Sequence, residues 1–423
     1  VFQQVFGIKE LWGIDFFWIA AIGLVVLTAL YTIFGGMKSV LYTSVLQTPI
    51  LLLGSLIILV LGFKELGGWD EMMRVCGAVT VNDYGDTMTN LIRSNDDANF
   101  PWLGALIGSA IIGFWYWCTD QFIVQRVLSG KNEMEARRGT IFGAYLKLLP
   151  VFLFLIPGMI AFALHQKYIG AGGEGFLPML ANGTANADAA FPTLVAKLLP
   201  AGVKGLVVCG ILAALMSSLA SLFNSSAMLF TIDFYKRFRP ETPEKKLVGI
   251  GQVATVVIVI LGILWIPIMR SVGDVLYTYL QDVQSVLAPG IAAAFLLGIC
   301  WKRTSAQGGM WGLIAGMVIG LTRLGAKVYY SNAGEVADST FKYLFYDMNW
   351  LFFCGWMFLF CIIVVIVVSL ATKAPTAEKI QGLVFGTATK EQKAVTRASW
   401  NHWDIIHTVI ILAITGAFYW YFW

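Results

Sequence analysis

Ten apolar runs, each about as long as a bilayer is thick, constrain the fold of this chain more than any other feature. A helix needs about 20 apolar residues to cross the hydrocarbon core of a membrane. Hydrophobic residues make up 58% of the 423 residues and charged residues 13%, whereas soluble domains are about a quarter charged. The sequence therefore predicts an all-α integral membrane protein. The predicted spans are residues 14–34, 42–63, 102–127, 140–164, 204–232, 247–269, 275–300, 307–323, 350–371 and 404–422.

The connections between these runs differ in their content of lysine and arginine. One alternating set carries dense basic clusters such as residues 236–246. The other set consists mostly of long, acidic connections such as residues 64–100, and it includes Arg323 and Lys327. Because basic connections favour the cytoplasmic side, we expect a multi-pass protein of the plasma membrane whose last residue, Trp423, lies outside.

The sequence also argues against several other classes of protein. The net charge of +4 is small and dispersed, which does not favour binding to nucleic acid. The three histidines, His165, His402 and His407, lie at the edges of predicted spans. The chain has no HExxH, GxSxG or P-loop pattern, the motifs that mark common enzyme sites. We therefore do not expect an enzyme.

Lys147 is the most informative charged residue inside a predicted span, because an ionisable group at membrane depth is costly and marks a site by default. It lies roughly eight residues into its span, about 12 Å along the helix and close to the bilayer midplane. Its ammonium group can donate hydrogen bonds to hydroxyl groups in a polar cavity. The alternative is an interfacial anchor whose long side chain reaches the headgroup region.

Residues 113–126 combine adjacent aromatic side chains with hydrogen-bonding groups. Tyr116 and Trp117 are followed closely by Asp120 and by other polar residues. A sugar ring has apolar C–H faces and polar rims, so aromatic faces beside polar groups suit it. The alternative is an aromatic belt at the membrane interface, with Asp120 paired to Arg126.

Small residues in the run 209–226 share one face of a predicted helix. Ala214, Ser217 and Ser218 follow an i, i+3, i+4 spacing. Sodium is a hard cation that prefers oxygen ligands, which serine hydroxyls and a freed backbone carbonyl supply. The same small residues also serve close helix packing, and the spacing leaves both interpretations open.

The run 277–290 carries Gln281 and Asp282 in its first half, and Pro289 and Gly290 further in. Broken helices present unpaired backbone groups where transporters bind their ligands. These residues therefore indicate a binding site. The alternative is a proline-kinked helix whose polar face is buried in the helix bundle.

These motifs, taken in order, resemble the solute:sodium symporter family and more closely its sodium/glucose cotransporter branch. The resemblance covers residues from about 35 to 320 and is carried by residues 116–126, 145–160, 214–225 and 279–303, which resemble core helices six, seven, eight and ten. It implies two five-helix inverted repeats with extra C-terminal helices, working by alternating access.

On this mapping, residues 1–423 form a single transmembrane transporter domain that begins at the fourth core helix. Residues 324–423 then form the flanking C-terminal helices. The first core helix supplies half of the sodium and sugar sites in the family. We expect that helix to belong to a longer chain of which this sequence is a part.

The resemblance also implies roles for the residues singled out above. Tyr116 would be the inner gate that stacks on the sugar ring, with Trp117 beside it. Lys147 and Gln281 would hydrogen-bond sugar hydroxyls, and Tyr277 would be the outer aromatic gate. The implied ligands of the sodium ion common to the family are Ala214 (by its carbonyl), Ser217 and Ser218.

Two positions depart from the family pattern. Ser44 stands where the sugar transporters carry an aspartate tied to cation coupling, and Gly113 stands where members carry a polar sugar-binding residue. From the resemblance we expect sodium-coupled symport of a hexose-like sugar into the cell. Because Ser44 brings no charge, we expect one sodium ion per sugar. The alternatives are a sodium symporter for myo-inositol or another polar solute, and a non-transporting sensor or channel on the same scaffold.

Overall fold

The structure is a computed structural model that describes residues 5, 7–180, 183–270, 276–332 and 337–422. Within its helices, the side chains of residues 34–40, 43, 44, 46, 268–270, 276–279 and 332 lie outside this description. The side chains of Ser44 and Tyr277, two positions singled out from the sequence, are among them.

The described chain is mostly helical, as the sequence predicts. Its helices of eight or more residues are α1 (Phe16–Leu66), α2 (Trp69–Gly77), α3 (Trp102–Cys118), α4 (Gln121–Leu128), α5 (Glu133–Pro150), α6 (Ile156–Gly170), α7 (Ala190–Leu198), α8 (Ala201–Met228), α9 (Glu244–Arg270), α10 (Leu276–Cys300), α11 (Ala306–Asn332), α12 (Trp350–Ala371), α13 (Lys390–Ala398) and α14 (His402–Tyr421). Single helical turns lie at Ala187–Ala189, Lys236–Phe238, Thr340–Lys342 and Ala377–Ile380, and wider π turns at Val151–Leu155, Leu229–Tyr235 and Tyr343–Asp347.

A short hairpin precedes the first long helix. Strands β1 (Glu10–Leu11) and β2 (Ile14–Asp15) pair antiparallel. Trp12 and Gly13, the two residues between them, have φ values of 55° and 75°, as a tight two-residue hairpin turn requires. The Asp15 carboxylate then caps α1 by accepting a hydrogen bond from the Phe17 N–H at 2.9 Å.

Nine helical segments of the described chain are long and apolar enough to cross a membrane, or ten if a bent pair forms one span. The bent pair is α3 with α4, whose axes differ by 48°. The break has a local cause, because the Asp120 side chain caps α4 through the Phe122 N–H at 3.0 Å. The prediction of about ten apolar helices is confirmed, although residues 102–127 form a broken helix.

Helix α1 joins the first two predicted spans, for which the sequence predicts a break at residues 35–41. Two apolar windows on it, Phe16–Ile33 and Gln47–Leu66, match those spans. Gly54 packs on Val207 and Gly210 on Ile50, which sets an antiparallel register between α1 and α8. In that register Tyr31 would lie opposite residues 229–230 of a straight partner.

The contact made by Tyr31 shows that α1 is not straight. Its hydroxyl donates a 2.7 Å hydrogen bond to the carbonyl of Met216. That carbonyl is about 20 Å along the helix from the position that a straight register predicts, a distance that a tyrosine side chain does not bridge. The axis of α1 is therefore not straight between its two apolar windows. The prediction of a connection at residues 35–41 was wrong, because those residues belong to one continuous helix.

Helix α11 is longer than the sequence predicts, because the predicted span ends at residue 323 and the helix continues to Asn332. Arg323 and Lys327 therefore lie inside α11 and not in an outer connection. The assignment of these two charges to a loop was wrong. The polar pattern ends the apolar run early, but i, i+4 spacing keeps both side chains on one face of a continuing helix.

The described chain forms two compact units. The first contains residues 145–275 together with most of residues 1–89, and the second contains residues 90–144 and 276–423 together with residues 82–86. In the first unit, the core includes Ile58, Ile160 and Val207. Here the absence of a side chain at Gly54 is needed, since a Cβ atom would lie 2.6 Å from Val207 Cγ2.

The second unit has its own core, where α3, α10 and α12 contribute Ile111, Ala292 and Cys354. Helices α10 and α11 also approach closely, because a Cβ atom on Gly316 would lie 3.0 Å from the Cα atom of Gly290. Such contacts between small residues are how membrane helices pack without a hydrophobic driving force. The expectation of a single domain over residues 1–423 stays a prediction.

Candidate functional site

Tyr116 and Trp117 lie in the last turn of α3, directly before the break that separates α3 from α4. Their rings meet edge to face, with centroids 5.4 Å apart and planes at 89°. Tyr116 is partly buried, whereas Trp117 is 48% exposed. Trp117 packs against one side of the tyrosine ring. The pair lies at a helix end, and broken membrane helices bind polar ligands at such ends.

Gln281 and Asp282 lie in the first half of α10, in the same compact unit as Tyr116. Gln281 is partly buried and Asp282 is 8% exposed. Helices α3 and α10 pack against each other through Ile111 and Ala292. The structure therefore places Gln281 and the aromatic pair on neighbouring helices of one unit, and their roles in sugar binding stay predictions.

Lys147 lies in the last turn of α5, directly before the π turn Val151–Leu155. It belongs to the first compact unit. The side chain is exposed on the surface of the described chain. Its position is about 21 Å along the helix from Glu133, within the candidate span Glu133–Gly170. The role of Lys147 in sugar binding stays a prediction.

The predicted sodium ligands lie in the middle of α8, in the first unit. Ser217 is buried with 6% of its surface exposed, Ala214 is partly buried and Ser218 is exposed. The three residues therefore stand at the boundary between the packed and the open face of the helix. Tyr31, which sequence reasoning missed, donates to the carbonyl of Met216 next to Ser217.

Across the described ranges, no group of three or more histidine, cysteine, aspartate or glutamate side chains is arranged to hold a metal ion. Hydroxyl and carbonyl oxygens such as those of α8 suit a monovalent hard cation without such a group.

Gly113 lies in the second half of α3, about one turn before Tyr116. It faces open space among the described residues. Apart from the glycine itself, its chain neighbours and the backbone of the adjacent helical turns, none of their heavy atoms comes within 4 Å of a Cβ atom built at this position. The position where the family resemblance places a polar sugar-binding side chain is therefore neither occupied nor blocked by those atoms.

A cluster of charged side chains, which sequence reasoning did not assemble, links α10 to α11. Lys327 Nζ donates to Oδ2 of Asp282, and Arg323 Nη2 lies 3.5 Å from Oδ1 of the same carboxylate. Arg323 is fully buried, its Nη2 donates to the Met348 carbonyl at 2.8 Å, and its guanidinium lies 4.0 Å from the Phe353 ring centroid. The available signal was the pair of basic residues four apart at the end of an apolar run.

A groove of about 660 Å³ lies elsewhere in the second unit, between the first turns of α5 and the helix α14. Apolar side chains such as Ile141, Ile405 and Val409 line most of it. None of the residues predicted to bind sugar or sodium lines this groove, so we do not associate it with transport.

The fold and these polar sites inside apolar helices define an all-α membrane transporter. The family model of the sodium:solute symporter family matches residues 5–316 of the chain. The match covers well over half of the sequence, and the chain belongs to this family. Its members are transporters and not enzymes, and the family resemblance inferred from the motifs is confirmed.

Curated relatives agree with this assignment. The chain is 35% identical to the sodium/mannose cotransporter SLC5A10 of Bos taurus, over 96% of this chain and 72% of the relative. It is 35% identical to sodium/myo-inositol cotransporter 2 of Homo sapiens, over 88% of this chain and 56% of the relative. It is 37% identical to sodium/glucose cotransporter 1 of Ovis aries, over 88% of this chain and 58% of the relative. The chain thus spans little more than half the length of the last two relatives.

A solved structure shows the same fold. It is the substrate-bound outward-open state of a Na⁺-coupled sialic acid symporter, with a TM-score of 0.64 at 20% identity. The similarity covers 89% of this chain and 71% of that one. The all-α membrane transporter fold expected from the sequence is therefore confirmed.

Proposed function

We propose that the full-length protein carries a hexose-like sugar into the cell together with sodium, by alternating access across the plasma membrane. The main support is the Tyr116–Trp117 pair at the break between α3 and α4. It occurs in a chain whose relatives are named as mannose, glucose and myo-inositol cotransporters. Aromatic faces next to hydrogen-bonding groups match the apolar faces and polar rims of a sugar ring.

In this proposal each sugar-site residue has a separate role. Tyr116 stacks on the sugar ring and closes the site from the inner side, and the edge contact with Trp117 holds its ring in place. Gln281 hydrogen-bonds a sugar hydroxyl with its carboxamide, and Lys147 donates to others with its ammonium group. Tyr277 closes the site from the outer side.

The sodium ion binds α8 through the carbonyl of Ala214 and the hydroxyls of Ser217 and Ser218. The boundary position of these residues supports the assignment, since an ion that enters and leaves needs one packed and one open side. A membrane potential of 100 mV supplies about 2.3 kcal/mol per charge. That energy sustains roughly 50-fold accumulation of an uncharged sugar per coupled ion, before any sodium gradient is added.

The test is uptake by the full-length protein in sealed proteoliposomes. With an inward sodium gradient and an inside-negative potential, radiolabelled glucose, mannose or galactose should accumulate above its outside concentration. Replacing sodium with choline should abolish accumulation. A channel equilibrates an uncharged sugar but never concentrates it, and a sensor moves none. Equilibration without accumulation would therefore refute symport.

A second candidate substrate is myo-inositol. The open space at Gly113 supports it, because a missing polar side chain removes one hydroxyl contact from the hexose site. A relative at 35% identity is named as a myo-inositol cotransporter. Competition of unlabelled myo-inositol with labelled hexose in the same vesicles separates the two substrates by their relative affinities.

A further inference from the structure

The buried cluster of Asp282, Arg323 and Lys327 joins the two helices next to the predicted sugar ligand Gln281. Asp282 is 8% exposed and Arg323 is fully buried. Charged groups within membrane-spanning helices are costly and are retained where they serve a function. The cluster therefore calls for a role beyond holding two helices together, which small residues such as Gly290 and Gly316 already do.

The composition of the cluster excludes a role as a second sodium site. Two cationic side chains face one carboxylate, so an additional cation beside Asp282 would meet net repulsion. Arg323 also donates from Nη2 to the Met348 carbonyl and lies over the face of the Phe353 ring, while its Nε and Nη1 atoms have no hydrogen-bond partner among the described residues. Asp282 is thus paired with Arg323 and Lys327 on α11. It does not substitute for the aspartate that the family's sugar transporters carry at the position of Ser44.

Asp282 lies next to Gln281 in α10, so contacts that hold Asp282 also affect the orientation of Gln281. Pro289 has no N–H group, so α10 lacks the helical hydrogen bond that would end at the Ser285 carbonyl. The Ser285 hydroxyl donates to the Asp282 carbonyl at 2.6 Å, a bond within the first half of the helix. The backbone of α10 is therefore one hydrogen bond short before Pro289, and the contacts of Asp282 with α11 hold the rotation of its first half about the helix axis.

Gln281 precedes Asp282 directly, so any rotation at Asp282 turns the Gln281 side chain by the same angle. We propose that Asp282 is a positioning residue for Gln281: its contacts with Arg323 and Lys327 aim the Gln281 carboxamide at the sugar. This inference rests on the proposed function. It makes the cluster a determinant of sugar affinity that touches neither sugar nor sodium.

A double-mutant cycle in the full-length protein tests the proposal. Asp282→Asn removes the charge at constant size, and Lys327→Gln removes only the less buried cation and leaves the Arg323 contact. Each variant should raise the KM for sugar by about three- to tenfold, the loss expected for one weakened hydrogen bond. The sodium concentration for half-maximal uptake should not change. Asp338→Asn, which breaks the exposed Asp338–Lys342 pair in the same unit, is the matched control.

The cycle partner is Gln281→Ala. If Asp282 acts through Gln281, this substitution should raise the KM strongly in the native background and much less when Asp282 or Lys327 is already changed. Additive effects, or a fall in the amount of folded protein with an unchanged KM, would show a purely structural cluster and overturn the proposal. If Asp282→Asn does not reach the membrane, Lys327→Gln gives the same comparison. A native protein that accumulates no sugar refutes the proposed function instead, before any variant is compared.

Discussion

The two adjacent serines of α8 offer a sharp test of the proposed sodium site, because the structure places them differently. Ser217 has 6% of its surface exposed, whereas Ser218 is on the open side of the helix. Ser217→Ala and Ser218→Ala each delete one oxygen and leave the helix intact, since alanine is the best helix former. A third serine, Ser221, is fully buried one turn further on and is not a predicted ligand.

The burial of each hydroxyl sets the expected magnitude. A buried hydroxyl that contacts a charge contributes about 1.5–3 kcal/mol. Its loss should therefore raise the half-saturating sodium concentration by about 10- to 150-fold for Ser217→Ala. At Ser218, water can take the place of the lost oxygen, so we expect less than about 1 kcal/mol, or at most a roughly fivefold increase. Ser221→Ala should leave sodium activation unchanged.

The assay is sodium activation of sugar uptake in proteoliposomes, with the amount of inserted protein measured for each variant. The order Ser217 > Ser218 > Ser221 in the half-saturating sodium concentration is the expected result. Unchanged sodium activation in Ser217→Ala would refute the assignment and place the ion elsewhere. Equal effects of Ser217→Ala and Ser221→Ala would show that the change acts on packing and not on ligation.

Four other predictions follow from single positions. Lys147→Ala should raise the KM for sugar at least about tenfold and leave sodium affinity unchanged, as measured by uptake; an unchanged KM would make Lys147 an interfacial anchor. Gly113→Asn should fit without a clash and should change the preference between hexose and myo-inositol in competition assays. Uptake should couple one sodium per sugar, with a Hill coefficient near one, because Ser44 brings no charge to balance a second buried cation; two sodium ions per sugar would contradict this. Asp97→Ala should loosen the connection that precedes α3, measured by hydrogen exchange at Phe100, since the Asp97 carboxylate accepts from the Asn99 and Phe100 N–H groups.

The same contacts give that connection a pH dependence of known sign. Burial alone raises the pKa of the Asp97 carboxyl, but the donors at Phe100, Asn99 and Asn82 and the charge of Arg93 together hold its pKa below the usual value. A lowered pKa in the folded state means that the carboxylate stabilises the connection above the unfolded pKa. That stabilisation is lost as the pH falls through the folded pKa, and exchange at Phe100 should increase there.

The sequence predicts the helices well because apolar length alone defines a membrane span. It predicts their ends and bends less well, since these depend on local hydrogen bonds. The break after Cys118 follows from capping of α4 by Asp120, and an aspartate inside an apolar run is at most a weak sign of it. The bend of α1 depends on where Tyr31 meets α8, a contact between residues 185 positions apart.

The candidate site shows the same division. The motif at residues 214–218 implies the proposed sodium ligands by resemblance, but periodicity alone puts Ser217 and Ser218 on one face. The structure shows that Ser217 is buried and Ser218 is exposed. Which side of α8 is buried depends on how α8 packs against α1. No local pattern contains that information.

The corrected length of α11 also bears on the predicted orientation of the chain. Moving Arg323 and Lys327 from the outer connection into a helix removes two basic residues from the outer set, so the excess of basic residues on the cytoplasmic side increases. The ion contacts bear on the topology and not on the orientation, because Asp282 lies in the first half of α10 and its partners lie in the second half of α11. These contacts require α10 and α11 to run antiparallel, as two successive membrane spans must. In the orientation that the positive-inside rule predicts, the cluster would lie in the outer half of the membrane, at the level of the proposed sugar ligand Gln281.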